Sequence, residues 1–153
     1  GGKILSHFGL LSNEDDLISI LRININSMIV IDSDKASPDQ ALNETKERIK
    51  KGCSEGFSNV WITSGREIEN YLELNTLKKS ISNVHKNFKE QVKTDKWSNV
   101  LKYRSKSDSK IKTANKVRVA KEYIRECSNT VIYTDELKKS VSELADLIVN
   151  ARN

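Results

Sequence analysis

Two aspartates one residue apart, Asp32 and Asp34, close the apolar run Met28-Ile29-Val30-Ile31. Two glutamates with the same spacing, Glu67 and Glu69, follow a second run, Asn59-Val60-Trp61-Ile62-Thr63. Carboxylates held this close repel one another unless a positive charge sits among them, and the charge that matches an oxygen-only donor set is a hard divalent cation, Mg²⁺ or Mn²⁺. Such a cation lowers the pKa of a bound water and stabilises charge on phosphoryl oxygens, which is the chemistry of phosphodiester hydrolysis. The plainer alternative is that one aspartate caps a turn while the other is solvated, and that the glutamates merely complement a helix dipole, worth about 0.3 to 1 kcal/mol. On the functional reading one glutamate is a further ligand and the other orients a neighbour. Spacing alone leaves both alternatives open.

The elements that must position these acids are legible nearby. Four consecutive apolar residues at 28–31 predict a strand buried on both faces, at the centre of a parallel sheet. Strand alternation would send Asp32 and Asp34 off its C-terminal end on the same side, where open α/β sheets bind ligands. Ser37-Pro38-Asp39-Gln40 predicts a helix entry, with Ser37 as cap, Pro38 in the first helical position and Gln40 completing a capping box. This helix should reach Lys50 or Lys51 and end at Gly52. Strand, helix and the second strand at 59–63 then form a right-handed βαβ unit that delivers Glu67 and Glu69 to the same sheet edge. Ser64 or Gly65 is expected to open a helix with those glutamates in or beside its first turn.

Elsewhere the periodicity predicts a short helix or turn at 3–11, a helix from 13 to 21, and a basic amphipathic helix over 76–92 with Leu77, Ile81, Val84 and Phe88 on one face. Between 93 and 112 the pattern breaks: Trp97 and Tyr103 stand among Lys93, Lys96, Lys102, Arg104, Lys106, Lys110 and Lys112. Interleaved aromatics and cations can track a nucleic-acid backbone and stack on bases. They fit a solvated loop anchored by two aromatics equally well. Lys35, Arg66 and Arg118 join the candidate nucleic-acid contacts. A helix from Thr113 should contain Val117, Ala120, Ile124 and Cys127, with Lys116, Arg118, Lys121 and Arg125 along it. A last helix over 134–152, with Leu137, Val141, Leu144, Leu147, Ile148 and Ala151 at three- and four-residue spacing, reads as core. A brief strand is expected at 130–133, and His7 and His85 read as structural.

At 153 residues, with 31% charged and a net charge of +5, the chain has room for one domain with a real core and admits a polyanionic partner. The expected division is an α/β core over 1–92 and, over 93–153, a basic loop with helices packed on that core. Cys53 and Cys127 have no ligand-spaced companion, so neither zinc nor a disulfide framework is indicated, and a reducing, cytoplasmic setting is expected. No apolar run approaches membrane-spanning length and no signal-peptide pattern opens the chain.

With Ile31-Asp32-Ser33-Asp34 and Arg66-Glu67-Ile68-Glu69-Asn70-Tyr71-Leu72 taken together, the chain resembles the Toprim domain of the overcoming-lysogenization-defect (OLD) family of ATP-dependent nucleases, which includes bacterial antiphage and retron effectors. The likeness runs from Gly1-Gly2-Lys3-Ile4-Leu5-Ser6-His7 to Lys116-Val117-Arg118-Val119-Ala120. It implies a Toprim-like parallel sheet flanked by helices, with a helical C-terminal part, acting as a Mg²⁺- or Mn²⁺-dependent endonuclease in antiphage defence. Asp32, Asp34 and Glu69, with Glu67 as the nearby alternative, would hold metal, and Lys116 would assist at the phosphate. The implied partners are nucleic acid, DNA in preference to RNA, an upstream domain that binds ATP, and further copies of the full-length protein. Toprim domains also carry a glutamate after their first strand. In that register Gly1-Gly2 ends the second strand, so the glutamate would precede residue 1 and the chain would be a C-terminal fragment with an incomplete site. The glycines would otherwise be a cloning remnant. A rival reading is a catalytically silent Toprim-like module that binds nucleic acid or a partner and regulates an ATPase. A third makes Asp32 and Asp34 the nucleophile and acid of a haloacid dehalogenase-type phosphatase, which Lys35-Ala36 fits poorly where a Thr or Val is wanted.

Overall fold

The computed structural model describes residues 27–54, 59–127 and 134–151, and the elements expected at 3–11, 13–21 and 130–133 lie outside them. Met28–Ile31 forms strand β1, Glu44–Ser54 helix α1 and Asn59–Ile62 strand β2. The strands pair in parallel, Met28 opposite Asn59 and Ile31 opposite Ile62. Ile49 and Cys53 of α1 are buried against Ile29, Ile31 and Val60, so the strand–helix–strand order expected of the sequence is present. Val30 is half exposed, so β1 is not buried on both faces as expected.

The helix start differs from expectation. Residues 37–40 form a turn, closed by Gln40 N–H donating to the Ser37 carbonyl at 3.3 Å. The Gln40 side chain does reach back, its Oε1 accepting from Ala36 N–H at 2.7 Å, but it fastens that turn and not a helix. Asn43 is the effective cap, its Oδ1 accepting from Lys46 N–H at 2.9 Å, and α1 continues through Gly52. A side-chain oxygen one residue before the helical run outcompetes the Ser-Pro signal.

The chain divides into two compact units, Gly1–Ser64 with Lys138–Asn153, and Gly65–Leu137. The second unit opens with a 3₁₀ turn, Ile68–Tyr71, followed by α2, Leu74–Val84. An antiparallel sheet follows, β3 Phe88–Gln91, β4 Lys102–Ser105 and β5 Ile111–Thr113, in the order β3-β4-β5, and then α3, Lys116–Glu126. Leu77, Ile81, Phe88, Val100, Leu101, Tyr103, Ala114, Val119 and Tyr123 make its core. Together with α4, Asp135–Asn150, the described residues hold four α-helices, a small parallel sheet and an antiparallel one: a mixed α/β protein.

Several expectations are corrected here. The helix predicted over 76–92 ends at Val84, and Phe88 joins the same core from β3; its spacing fits a helix, but antiparallel pairing with β4 makes 88–91 a strand. The patternless 93–112 stretch contains β4 and β5, whose alternation of Lys102 and Arg104 outward with Tyr103 and Ser105 inward is masked by its charge. In α3 the buried face is Val119 and Tyr123, whereas Val117 is 65% and Ile124 74% exposed. Tyr123 fits there because its hydroxyl oxygen accepts the Glu73 N–H at 3.0 Å. In α4, Ser140 is buried while Val141, Ile148 and Val149 are exposed, so this helix is not the core element expected. Periodicity marks a face as apolar without saying what covers it.

His85 closes α2 and is built in. Its Nε2 accepts the Asn115 N–H at 3.1 Å and its ring lies 5.2 Å from that of Tyr103. Burial, and then the charge of Arg118, lower its pKa from 6.5. The folded state therefore takes up a proton less readily than the unfolded chain, so His85 contributes stability above pH 6.5 that is lost as pH falls through its folded pKa. Between about pH 7.5 and 5.5 the urea midpoint of the native protein should fall more than that of His85→Gln, whose amide oxygen keeps the acceptor without titrating. Equal slopes would show that His85 does not set this dependence.

Candidate functional site

In the first unit the chain leaves the sheet at Ile31. Thr63 N–H donates to the Ile31 carbonyl at 3.0 Å and the Thr63 hydroxyl accepts Ser33 N–H at 2.8 Å, fastening the end of β1 to the end of β2. Asp34 then adopts a left-handed conformation, φ 57°. The extended conformation on which the expected alignment of Asp32 with Asp34 depends is thus not kept at Asp34. Asp34 turns instead to Lys46, whose ammonium meets its Oδ2 at 2.5 Å. The lysine side chain is only 5% exposed, against 41% for the aspartate. The positive charge that the paired acids demanded is supplied by the protein, at the third residue of α1. Sequence reasoning passed over Lys46 because nothing in Asn43-Glu44-Thr45-Lys46-Glu47 separates it from an ordinary surface lysine. Lys35 is half-buried immediately after Asp34.

In the second unit two predicted residues meet. Glu69 Oε1 lies 2.7 Å from the Lys116 ammonium, and the Glu69 side chain is 9% exposed. Its other oxygen, Oε2, is buried without a hydrogen-bond partner. Lys116 is the first residue of α3, placed by Asn115, whose Oδ1 accepts from Arg118 N–H at 3.0 Å. A cation there opposes the helix dipole by about 0.3 to 1 kcal/mol, so the position is not one that helix stability selects.

The neighbours of Glu69 are structural. Asn70 Oδ1 accepts Glu67 N–H at 2.9 Å, and its Nδ2 donates to the carbonyls of Asp95 at 3.1 Å and Ser98 at 2.9 Å. Tyr71 is buried and its hydroxyl donates to Glu136 at 2.8 Å. Arg66 N–H donates to the Lys96 carbonyl at 2.9 Å beside Gly65, where a Cβ would stand 2.8 Å from that same oxygen. Only glycine admits that approach. Glu67 is engaged by Arg66 Nε and Asn99 Nδ2, each at 3.5 Å. The expected helix start at 64 or 65 is therefore a 3₁₀ turn beginning at Ile68, and of the two glutamates Glu69 is the one with an unpartnered oxygen.

Of the candidate nucleic-acid residues, Lys102, Lys106, Lys110 and Arg118 are exposed. Arg104 is held by Glu90 at 3.4 Å and the Ser109 carbonyl at 3.1 Å, and Lys112 by Asp108 at 3.1 Å. Tyr103 is 4% exposed and packs on Phe88, so it anchors the sheet and cannot stack on a base. Trp97 is half-buried, with the Lys96 ammonium 5.8 Å from its ring.

Among the described residues no three His, Cys, Asp or Glu side chains gather as a ready-made metal cage. No helix among them is long and apolar enough to cross a membrane. Comparison with protein-family models, curated proteins and solved structures gave no match to this chain.

The Asp34–Lys46 pair is asymmetric, and a double-mutant series reads that asymmetry. Asp34→Asn, which tolerates the left-handed backbone, strands a buried ammonium and should cost about 2 to 3 kcal/mol of unfolding free energy in urea. Lys46→Met frees a carboxylate that water already reaches and should stay within about 1 kcal/mol. The reverse order would contradict the assigned burial.

Proposed function

We propose that the chain is the Toprim-type catalytic domain of a metal-dependent nuclease of the OLD kind, hydrolysing phosphodiester bonds of nucleic acid, DNA in preference to RNA. The observation that carries this reading is the buried Glu69 Oε2, which lacks a partner beside an ion-paired Lys116. An unsatisfied buried acceptor costs about 1 to 3 kcal/mol, more when charged, and a hard cation removes that cost. Glu69 offers its second oxygen beside Lys116, and a carboxylate oxygen suits a hard divalent cation. Glu67, already engaged, is the weaker ligand. Bound Mg²⁺ or Mn²⁺ would supply a water of lowered pKa and offset charge on the phosphate oxygens. Lys116, oriented by Glu69, would neutralise charge that develops on the phosphate. Asp34 can share its carboxylate between a ligand and Lys46, since it stays 41% exposed. An upstream ATPase and assembly into homo-oligomers belong to the same proposal.

The Lys46 ammonium favours a second reading. Because it already neutralises Asp34, the acids need no metal, and the chain would be a catalytically silent module that regulates an ATPase.

Cleavage of supercoiled plasmid by the intact protein in Mg²⁺ or Mn²⁺ separates the two. Asp32→Ala, Glu69→Gln and Lys116→Met, each shown folded by its melt, should lower the rate by about 10²-fold or more, as loss of one charge-stabilising group does. Undiminished cleavage by Asp32→Ala would reject the site, and no metal-dependent cleavage by the native protein would favour the silent module.

A further inference from the structure

We infer that the outer face of the β3–β4–β5 sheet, with its β4–β5 turn, binds the sugar-phosphate backbone of double-stranded DNA. The inference deepens the proposed function, on which it rests for the kind of substrate.

Charge is the first ground. Residues 86–118 hold eleven lysines and arginines against three acids, while the whole chain is only +5, so the positive charge is concentrated in this segment and the remainder is net negative. Geometry is the second. Strand alternation sends Lys102 and Arg104 to solvent and buries Tyr103 and Ser105, and the turn that follows presents Lys106 and Lys110, both exposed. Two of the segment's acids are already engaged, Glu90 with Arg104 at 3.4 Å and Asp108 with Lys112 at 3.1 Å. Lys102, Lys106 and Lys110 have no acidic partner among the described residues, which leaves three ammonium groups on one short hairpin for an outside anion.

The aromatics specify the form of that anion. Single-strand binders offer rings on which unstacked bases lie. Here Phe88 and Tyr103 are turned into the core at 5% and 4% exposure, so the sheet gives bases nothing to stack on. Cations without stacking rings or base-edge readers hold phosphates, independently of sequence and with a steep salt dependence. A duplex, with its closely spaced phosphates and enclosed bases, suits such a face.

The test is fluorescence-anisotropy binding of a labelled DNA duplex to the intact protein in EDTA, so that neither metal nor cleavage enters. Lys102→Glu/Lys106→Glu/Lys110→Glu should weaken binding at least about tenfold at moderate salt. Its plot of log affinity against log salt should be shallower by about 2 to 3, near 0.9 per lost phosphate contact. A control with the same charge change elsewhere, Lys50→Glu/Lys78→Glu/Lys121→Glu, should weaken binding by less than about threefold. Equal losses in the two triples, tighter binding of a single strand than of the duplex, or no binding by the native protein would each overturn the surface. The absence of metal separates this from the cleavage proposal: duplex binding in EDTA by a native protein that shows no metal-dependent cleavage would reject the nuclease and leave this surface standing.

Discussion

Removing a carboxylate from water costs several kcal/mol unless a cation and hydrogen-bond donors replace the water. At Glu69 that replacement is half complete: Lys116 meets one oxygen, and the other is buried without a partner. Much of the local architecture serves to keep this arrangement in place. Asn70 ties the 3₁₀ turn to the loop at 95–98, Tyr71 fills the space beneath it, and Gly65 lets the backbone approach Lys96 closely enough to fix where the turn begins. On the other side, the Asn115 cap fixes the start of α3 and with it the root of the Lys116 side chain. On the proposed reading, a bound cation would offset the cost of this uncompensated oxygen.

The first unit repeats the device with different exposure. Lys46, like Lys116, lies in the first turn of an Asn-capped helix and reaches an acid on another element. There the cation is the buried member and the acid the accessible one, so Asp34 remains open to a second cation in a way that the lysine is not open to a second anion. Two lysines at positions that oppose helix dipoles, each paired with an acid from the two acid pairs, suit sites organised around charge more than around helix stability.

How much of this the sequence carried depended on range. The parallel pairing of 28–31 with 59–62 and the helix between them were legible because three successive segments agreed in pattern. Glu69 and Lys116 stand out in the sequence only through a likeness to known nucleases and not through any local signal. What stayed hidden was tertiary. Asn43 capping α1 in place of Ser37, the left-handed turn at Asp34, and the burial of Lys46 all follow from contacts between segments distant in sequence. The sheet at 88–113 was concealed because its outward residues are cationic, so strand alternation resembled loop composition. In α3 two faces have helical spacing, and the buried one carries Tyr123, whose hydroxyl finds the Glu73 N–H, while the more aliphatic Val117 and Ile124 remain in solvent.

The proposed function rests on Glu69 Oε2 as a cation ligand. Isothermal calorimetry of Mn²⁺ into the intact protein, without nucleic acid, reads this directly. The native protein should bind the ion, and Glu69→Gln, which keeps the shape and removes the charge, should weaken binding by about 10-fold or more. Binding left unchanged by Glu69→Gln, or no heat from the native protein, would contradict it.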